Sequence, residues 1–171
     1  MIQNAAGSLP PLQTLVFLIS GVVGVVAVIV SLASHFSNSR RGDSPSAATV
    51  AGLVFGSLLL SLTQVMAVWS TSLFGAAADP QIVEAYNPTT PDNVRRTLQA
   101  ITLYINLIGW IAGARALWIW RSGPVYKEQG WVFKGFVFLT AGAFATNFAL
   151  FVDMLANTVG AEPLGTLYFT F

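Results

Sequence analysis

The chain has no cysteine, one histidine and few charges, with only 9% of its 171 residues being Asp, Glu, Lys or Arg. The first absence excludes disulfides, thiolate metal sites and cysteine nucleophiles. With His35 alone, no histidine metal cluster or proton relay can form within one chain. The net charge is +1, so no basic surface for nucleic acid stands out, and direct nucleic-acid binding is not expected. So few charges also cannot cover the surface of a water-soluble domain. There is no metal-ligand spacing, no glycine-rich phosphate loop after a strand and no nucleophile–base pair. The sequence therefore predicts neither catalytic residues nor a cofactor or metal site, and no enzyme.

What is present is apolar: 54% of the residues are hydrophobic. They gather in four runs, at about residues 12–34, 48–74, 98–120 and 131–158. Each exceeds the ~20 residues that a helix needs to cross ~30 Å of hydrocarbon. The expectation is an all-α protein, a bundle of four antiparallel transmembrane helices forming a single membrane domain over residues 1–171. Pro10 and Pro11 are read as the start of the first helix, because proline is tolerated where helix N–H groups are free. The connections fall at 35–47, 75–96 and 121–130, the last containing Gly123 and Pro124. Residues 1–8 carry no Lys or Arg, and the first run is too long for an ordinary signal-peptide core. Ser31-Leu32-Ala33 has the small-x-small form of a cleavage site, but retention as the first span is the simpler reading.

Basic residues set the orientation. With four spans, both termini and the second loop share a side, which holds only Arg95 and Arg96 of the eight basic residues. Arg40, Arg41, Arg115, Arg121, Lys127 and Lys134 fall on or near the other side, which predicts cytoplasmic first and third loops and periplasmic termini. Trp118, Trp120 and Trp131 are then expected at the cytoplasmic interface and Trp69 near the other, while Trp110 falls mid-span.

Small residues four apart let helices approach closely. Gly52 and Gly56 have that spacing in the second run, and Gly109 and Gly113 in the third. The fourth run has Ala141, Ala145 and Ala149, with Gly142 nearby. These stripes serve either packing within the chain or an interface between subunits. Gln99, Thr102, Asn106, Gly109 and Gly113 make one stripe along the third helix, and Asn147 lies mid-way in the fourth. Buried amides need partners, so Asn106 and Asn147 read first as interhelical glue. With Gln64 they read alternatively as a polar path for an ion or solute. Asp153 is the one acidic residue within a run, and Arg95 and Arg96 open the third at the same level. An interfacial Asp153–Arg pair is the plain reading; a proton or cation site and simple solvation are the others. Arg115 and Lys134 are read as snorkelling to the inner interface.

Two segments carry a resemblance. The stretch from Ile105 to Leu117, with Asn106, Gly109 and Arg115, is similar to a span of small inner-membrane proteins of bacterial conjugation and type IVB secretion. Gly142 to Asn147, then Phe148 to Thr158-Val159-Gly160, resembles their last span. The family is TraQ of I-type conjugation with its IcmC (DotE) equivalents; the related TraR and IcmD (DotP) proteins share the second pattern. Ala114 and Ala116 flank Arg115 where that pattern has an Arg-Gly pair.

The resemblance implies a non-enzymatic subunit of a translocation machine in the bacterial inner membrane. It would assemble with membrane lipid, copies of itself and other secretion or conjugation subunits, and it offers no catalytic residues to transfer. A pilus-like filament or ring, incorporated into a cell-surface appendage, is a variant of the same reading. The alternative class is a small oligomeric transporter or channel, and a third reading is a holin-like lesion protein.

Overall fold

A computed structural model describes residues 2–42, 44, 46–75, 85–86, 92–159 and 169–170. Among them the order is α1 (Ile2–Arg40), α2 (Ala47–Leu60), α3 (Leu62–Phe74), β1 (Ala85–Tyr86), α4 (Asp92–Tyr126), α5 (Trp131–Thr146), α6 (Phe148–Val159) and β2 (Phe169–Thr170). The two short strands pair antiparallel, Ala85 opposite Thr170 and Tyr86 opposite Phe169, which ties the second loop to the C-terminal tail.

Among the described residues two helices are long and apolar enough to cross a membrane, Pro11–Arg40 in α1 and Ala100–Tyr126 in α4. At ~1.5 Å per residue each exceeds the hydrocarbon thickness. The other two runs depart from the expectation of unbroken spans. Residues 48–74 form two helices, α2 and α3, that meet at Ser61 with a bend of 84°; taken as one span they would be a third crossing. Residues 131–158 are interrupted at Asn147, leaving α5 with 16 residues, about 24 Å long.

The two breaks share one device. Ser61 has φ −106° and ψ 35°, and Asn147 has φ −115° and ψ 41°. At Ser61 the backbone N–H and the hydroxyl both donate to the Ser57 carbonyl, at 3.3 and 3.2 Å. At Asn147 the backbone N–H and the side-chain amide both donate to the Ala143 carbonyl, at 3.1 and 2.9 Å. A side chain that bonds the carbonyl four residues back competes with the helix ladder and bends it. Thr71 and Ser72 make the same kind of back-bond within α3 without breaking it. Back-bonding permits the bend, then, and packing decides where it occurs. The turn at Ser61 carries Met66 and Ser70 into the interior, where both are fully buried.

Helix ends also differ from the expected loops. α1 begins at Ile2, ahead of Pro10 and Pro11, and continues through the predicted first loop to Arg40. α4 begins at Asp92 and runs through Gly123 and Pro124 to Tyr126. Pro124 removes only one N–H in the last turn. The end is then closed by Lys127 in the left-handed region, φ 53°, with Glu128 N–H donating to the Gly123 carbonyl at 3.2 Å. That six-to-one bond is a Schellman closure, here with lysine where glycine is usual. Ser46 caps α2, its hydroxyl accepting from Thr49 N–H at 3.2 Å.

The centre is Met66, Trp110, Leu117 and Leu139, with Leu59, Leu62, Ala116 and Trp120 around them. Lipid is as apolar as these side chains, so in a bilayer their packing is held by dispersion and close fit. The outer faces are strongly apolar, including Leu18, Val68, Ile108 and Phe133. Such faces suit lipid and would be an aggregation hazard in water.

Candidate functional site

Glycine sets the approach of the helices. A Cβ on Gly109 would lie 2.8 Å from both the Gly142 carbonyl oxygen and the Thr146 nitrogen. One on Gly142 would lie 2.8 Å from the Gly109 carbonyl oxygen. Here α4 and α5 touch backbone to backbone. A second such contact joins α1 to α2, where a Cβ on Gly24 would meet the Gly56 carbonyl oxygen at 2.8 Å. Gly52 faces the Ser31 side chain, and Gly113 faces Met66. Met66 also reaches Gly142, so its side chain fills the notch left by one glycine on α4 and one on α5.

The α4–α5 turn repeats this logic with tryptophan. Gly135 lies under the Trp120 indole, and Gly123 lies under Trp131. Trp120 Nε1 donates to the Val132 carbonyl at 3.0 Å. Trp120 is thus buried rather than placed in an interfacial belt, whereas Trp118 is exposed with the Arg121 guanidinium 5.0 Å from its ring. Trp110 is completely buried, with Phe17 edge-on at 4.8 Å.

Next to the Gly109–Gly142 contact lies a polar cluster drawn from α1, α3, α4 and α5. Gln13 Nε2 donates to Asn106 Oδ1 at 3.3 Å, and Asn106 Nδ2 donates to the Thr146 carbonyl at 3.2 Å. Asn147 Nδ2 donates to Ser70 Oγ at 2.7 Å and to Thr146 Oγ1 at 3.3 Å. Thr146 Oγ1 in turn donates to the Ala143 carbonyl at 3.1 Å. Asn106 and Asn147 therefore meet through Thr146, one on its carbonyl and one on its hydroxyl. Gln13, Ser70, Thr146 and Asn147 are all buried. Amides and hydroxyls carry no fixed charge and do not titrate near neutral pH. In a low-dielectric interior such groups hold helices in register, because leaving them unpaired is costly.

The remaining candidates fall elsewhere. Gln64 is exposed on α3, away from this cluster. On α5 the buried line is Gly135, Leu139, Gly142, Ala143 and Thr146. Ala141 is exposed and Ala145 half-buried, so the alanine stripe is not the face turned inward. The side chains of Ala149, Gln99, Asp153, Arg95 and Arg96 lie outside the described ones. Arg115 is exposed, its guanidinium 4.9 Å from the Phe138 ring. Lys134 pairs with Glu128 at 3.6 Å, both about half exposed. Among the described residues no three His, Asp or Glu side chains come together to hold a metal ion.

Sequence reading missed Gln13, Ser70, Thr146 and Met66 as members of this centre. Gln13 is a polar residue at the start of an apolar run, which is a signal. Ser70 and Thr146 carry none, because their importance comes from the two helix breaks. No family model, curated protein or solved structure matches the chain.

Proposed function

We propose that the chain is a non-enzymatic structural subunit of a bacterial conjugation or type IV secretion apparatus in the inner membrane. It crosses the bilayer four times as an antiparallel bundle, with α2–α3 and α5–α6 each serving as one interrupted crossing. Both termini face the periplasm, as the basic residues ask. The observation that carries this reading is how the interior is used. The described buried amides and hydroxyls of the Asn106–Thr146–Asn147 cluster bond to neighbouring helices, and the glycines bring backbones together. Nothing in that cluster is equipped to activate a substrate. The outer faces are apolar, so contacts to copies of itself and to other subunits run through helix surfaces within lipid. The pairing of Ala85–Tyr86 with Phe169–Thr170 supports an even number of crossings between the second loop and the tail. The likeness of residues 105–117 and 142–160 to TraQ and IcmC (DotE) proteins names the kind of machine, and the TraR and IcmD (DotP) likeness is its near variant.

A transporter or channel is the second reading. It is favoured by the two mid-run breaks, because interrupted helices frame the sites of many transporters. Against it, neither of the two described cavities is lined by Gln64, Asn106 or Asn147. The deciding experiment is electron microscopy of the purified protein with a conjugative-transfer assay of a deletion strain. A filament or ring and a loss of transfer support the subunit. Dispersed particles that conduct solute in liposomes, with transfer intact, would establish the transporter instead.

A further inference from the structure

A groove of about 800 Å³ runs over α4 between α1 and α5. Ile19 and Val23 line it from α1, Arg115 and Ile119 from α4, and Lys134 and Phe138 from α5. Its surroundings, residues 11–27 and 110–142, are all among the described residues. The charged side chains along it are Arg115, Lys134 and Glu128. Lys134 and Glu128 pair with each other at 3.6 Å. Arg115 has neither an ion pair nor a hydrogen bond among the described residues, and its guanidinium rests 4.9 Å from the Phe138 ring. It falls inside the apolar part of α4, Ala100–Tyr126, about 16 Å from the end at Tyr126. Trp118, one turn nearer that end, is exposed.

We propose that this groove seats one anionic phospholipid, with its phosphate on Arg115 and an acyl chain against Ile19, Val23 and Phe138. A cation within a membrane span is costly without a counter-charge, and it marks a place where a partner supplies one. Glu128 is taken up by Lys134, so the charge left over along the groove is that of one guanidinium. Its planar fork meets phosphate oxygens in pairs. Trp118 suits the interfacial belt, which sets Arg115 just inside it, within reach of a headgroup. The volume lies in the range of small-molecule sites, about 300–1,000 Å³. A second copy of the chain does not meet the same need. Of the acidic residues, Asp43 and Glu128 lie in connections beyond the helix ends, and Asp79, Glu84, Asp92, Asp153 and Glu162 lie in the second loop, at the start of α4, in α6 and in the tail. A parallel copy therefore brings no carboxylate to the level of Arg115, whereas lipid carries its phosphate at the end of an apolar chain. This inference stands apart from the secretion reading, since a transporter with the same fold would hold the same groove.

The test uses the full chain in dodecyl maltoside, freed of lipid by washing. Dioleoyl phosphatidylglycerol and dioleoyl phosphatidylcholine, which share their acyl chains, are titrated separately and followed by native mass spectrometry. One phosphatidylglycerol per chain should bind at least about tenfold more tightly than phosphatidylcholine. Arg115→Gln should weaken phosphatidylglycerol at least about tenfold, as loss of a charged donor does, and remove the preference. Ile19→Trp leaves every charge in place, fills the groove with an indole and should weaken both lipids. Arg40→Gln, which changes an exposed cation at the far end of α1, should leave binding as it is. Equal binding of the two lipids by the wild-type chain, or wild-type affinity in either folded groove variant, overturns the proposal. So does a dimer that forms without lipid and is lost in Arg115→Gln, because a second copy would then cover the groove. If Arg115→Gln fails to fold, Ile19→Trp decides, weakened binding supporting the groove as the seat and wild-type affinity rejecting it.

Discussion

Asn147 donates to the Ser70 hydroxyl at 2.7 Å, and this bond joins the two broken runs of the chain. Ser70 is available only because α3 turns at Ser61, and Asn147 is free to reach it because α5 ends there. Each break therefore supplies one half of a contact that two straight helices would not make in this way. The bond sits beside Thr146, which also receives Asn106, so helices α1, α3, α4 and α5 are linked through one short stretch of backbone.

That linkage predicts coupling between the two positions. Ser70→Ala and Asn147→Ala should each destabilise the protein in detergent, and the double variant should lose less than the two together. Interhelical hydrogen bonds in membranes couple by about 0.6 kcal/mol on average and about 1.7 at most. Reversible unfolding in mixed micelles measures the cycle. Strict additivity would show that the two side chains act separately. The Ala143 and Thr146 bonds of Asn147 remain intact in Ser70→Ala, so Asn147→Ala should be the more costly single change.

The glycines predict a contrast within one residue type. Gly109→Ala and Gly142→Ala place a methyl against backbone at 2.8 Å, which cannot swing aside, so each should cost about 1–3 kcal/mol. Gly21→Ala meets no atom within 4 Å and should be neutral, or stabilising by up to about 1 kcal/mol through helix propensity. Gly113→Ala meets the flexible Met66 side chain and should fall between these limits. Melting temperatures of the four variants check the order. Equal losses at Gly21 and Gly109 would remove the close approach of α4 and α5 as the explanation.

Met66 predicts the depth of the notch. Its side chain is fully buried against Gly113 and Gly142, so Met66→Ala should leave a cavity and cost about 2–5 kcal/mol. Met66→Leu conserves most of the volume and should cost less than about 1.5 kcal/mol. If Met66→Ala is as mild as the exposed control Val68→Ala, α3 does not seat in this way.

The long helices were legible in the sequence because α1 and α4 are continuous apolar runs with polar flanks. The breaks were not. No proline lies near Ser61 and the nearest glycine, Gly56, is more than a turn away, and an apolar run has the same composition whether straight or bent. The serine pair Ser57 and Ser61, one turn apart, is the only local trace. Asn147 was visible as a polar residue inside a run, but its part in ending a helix depends on Ser70, far away in sequence. The glycines also stood out, yet spacing cannot say what lies opposite each. Gly52 and Gly56 face α1, Gly109 faces Gly142, and Gly113 faces a methionine, and only packing in three dimensions assigns those partners.

Topology gives the last prediction, and the absence of cysteine makes it clean, since each introduced thiol is the only one in the chain. Ser44 and Gln129 are exposed, in the connections that follow α1 and α4. The structure puts these connections at one end of the molecule, because Asn38, Ser46 and Val125 line the same cavity. Ser44→Cys and Gln129→Cys should therefore label together, whichever way the protein sits. The basic residues at that end add the direction: both should resist an impermeant maleimide in intact cells and react after permeabilisation, whereas Asn87→Cys should react at once. Labelling of both from outside, with Asn87→Cys protected, reverses the orientation and leaves the fold standing. Labelling of Ser44→Cys and Gln129→Cys from opposite sides is the more serious outcome. It would mean that the helices between them cross the membrane an odd number of times, and the arrangement of α2, α3 and α4 around the Ser61 break would have to be abandoned.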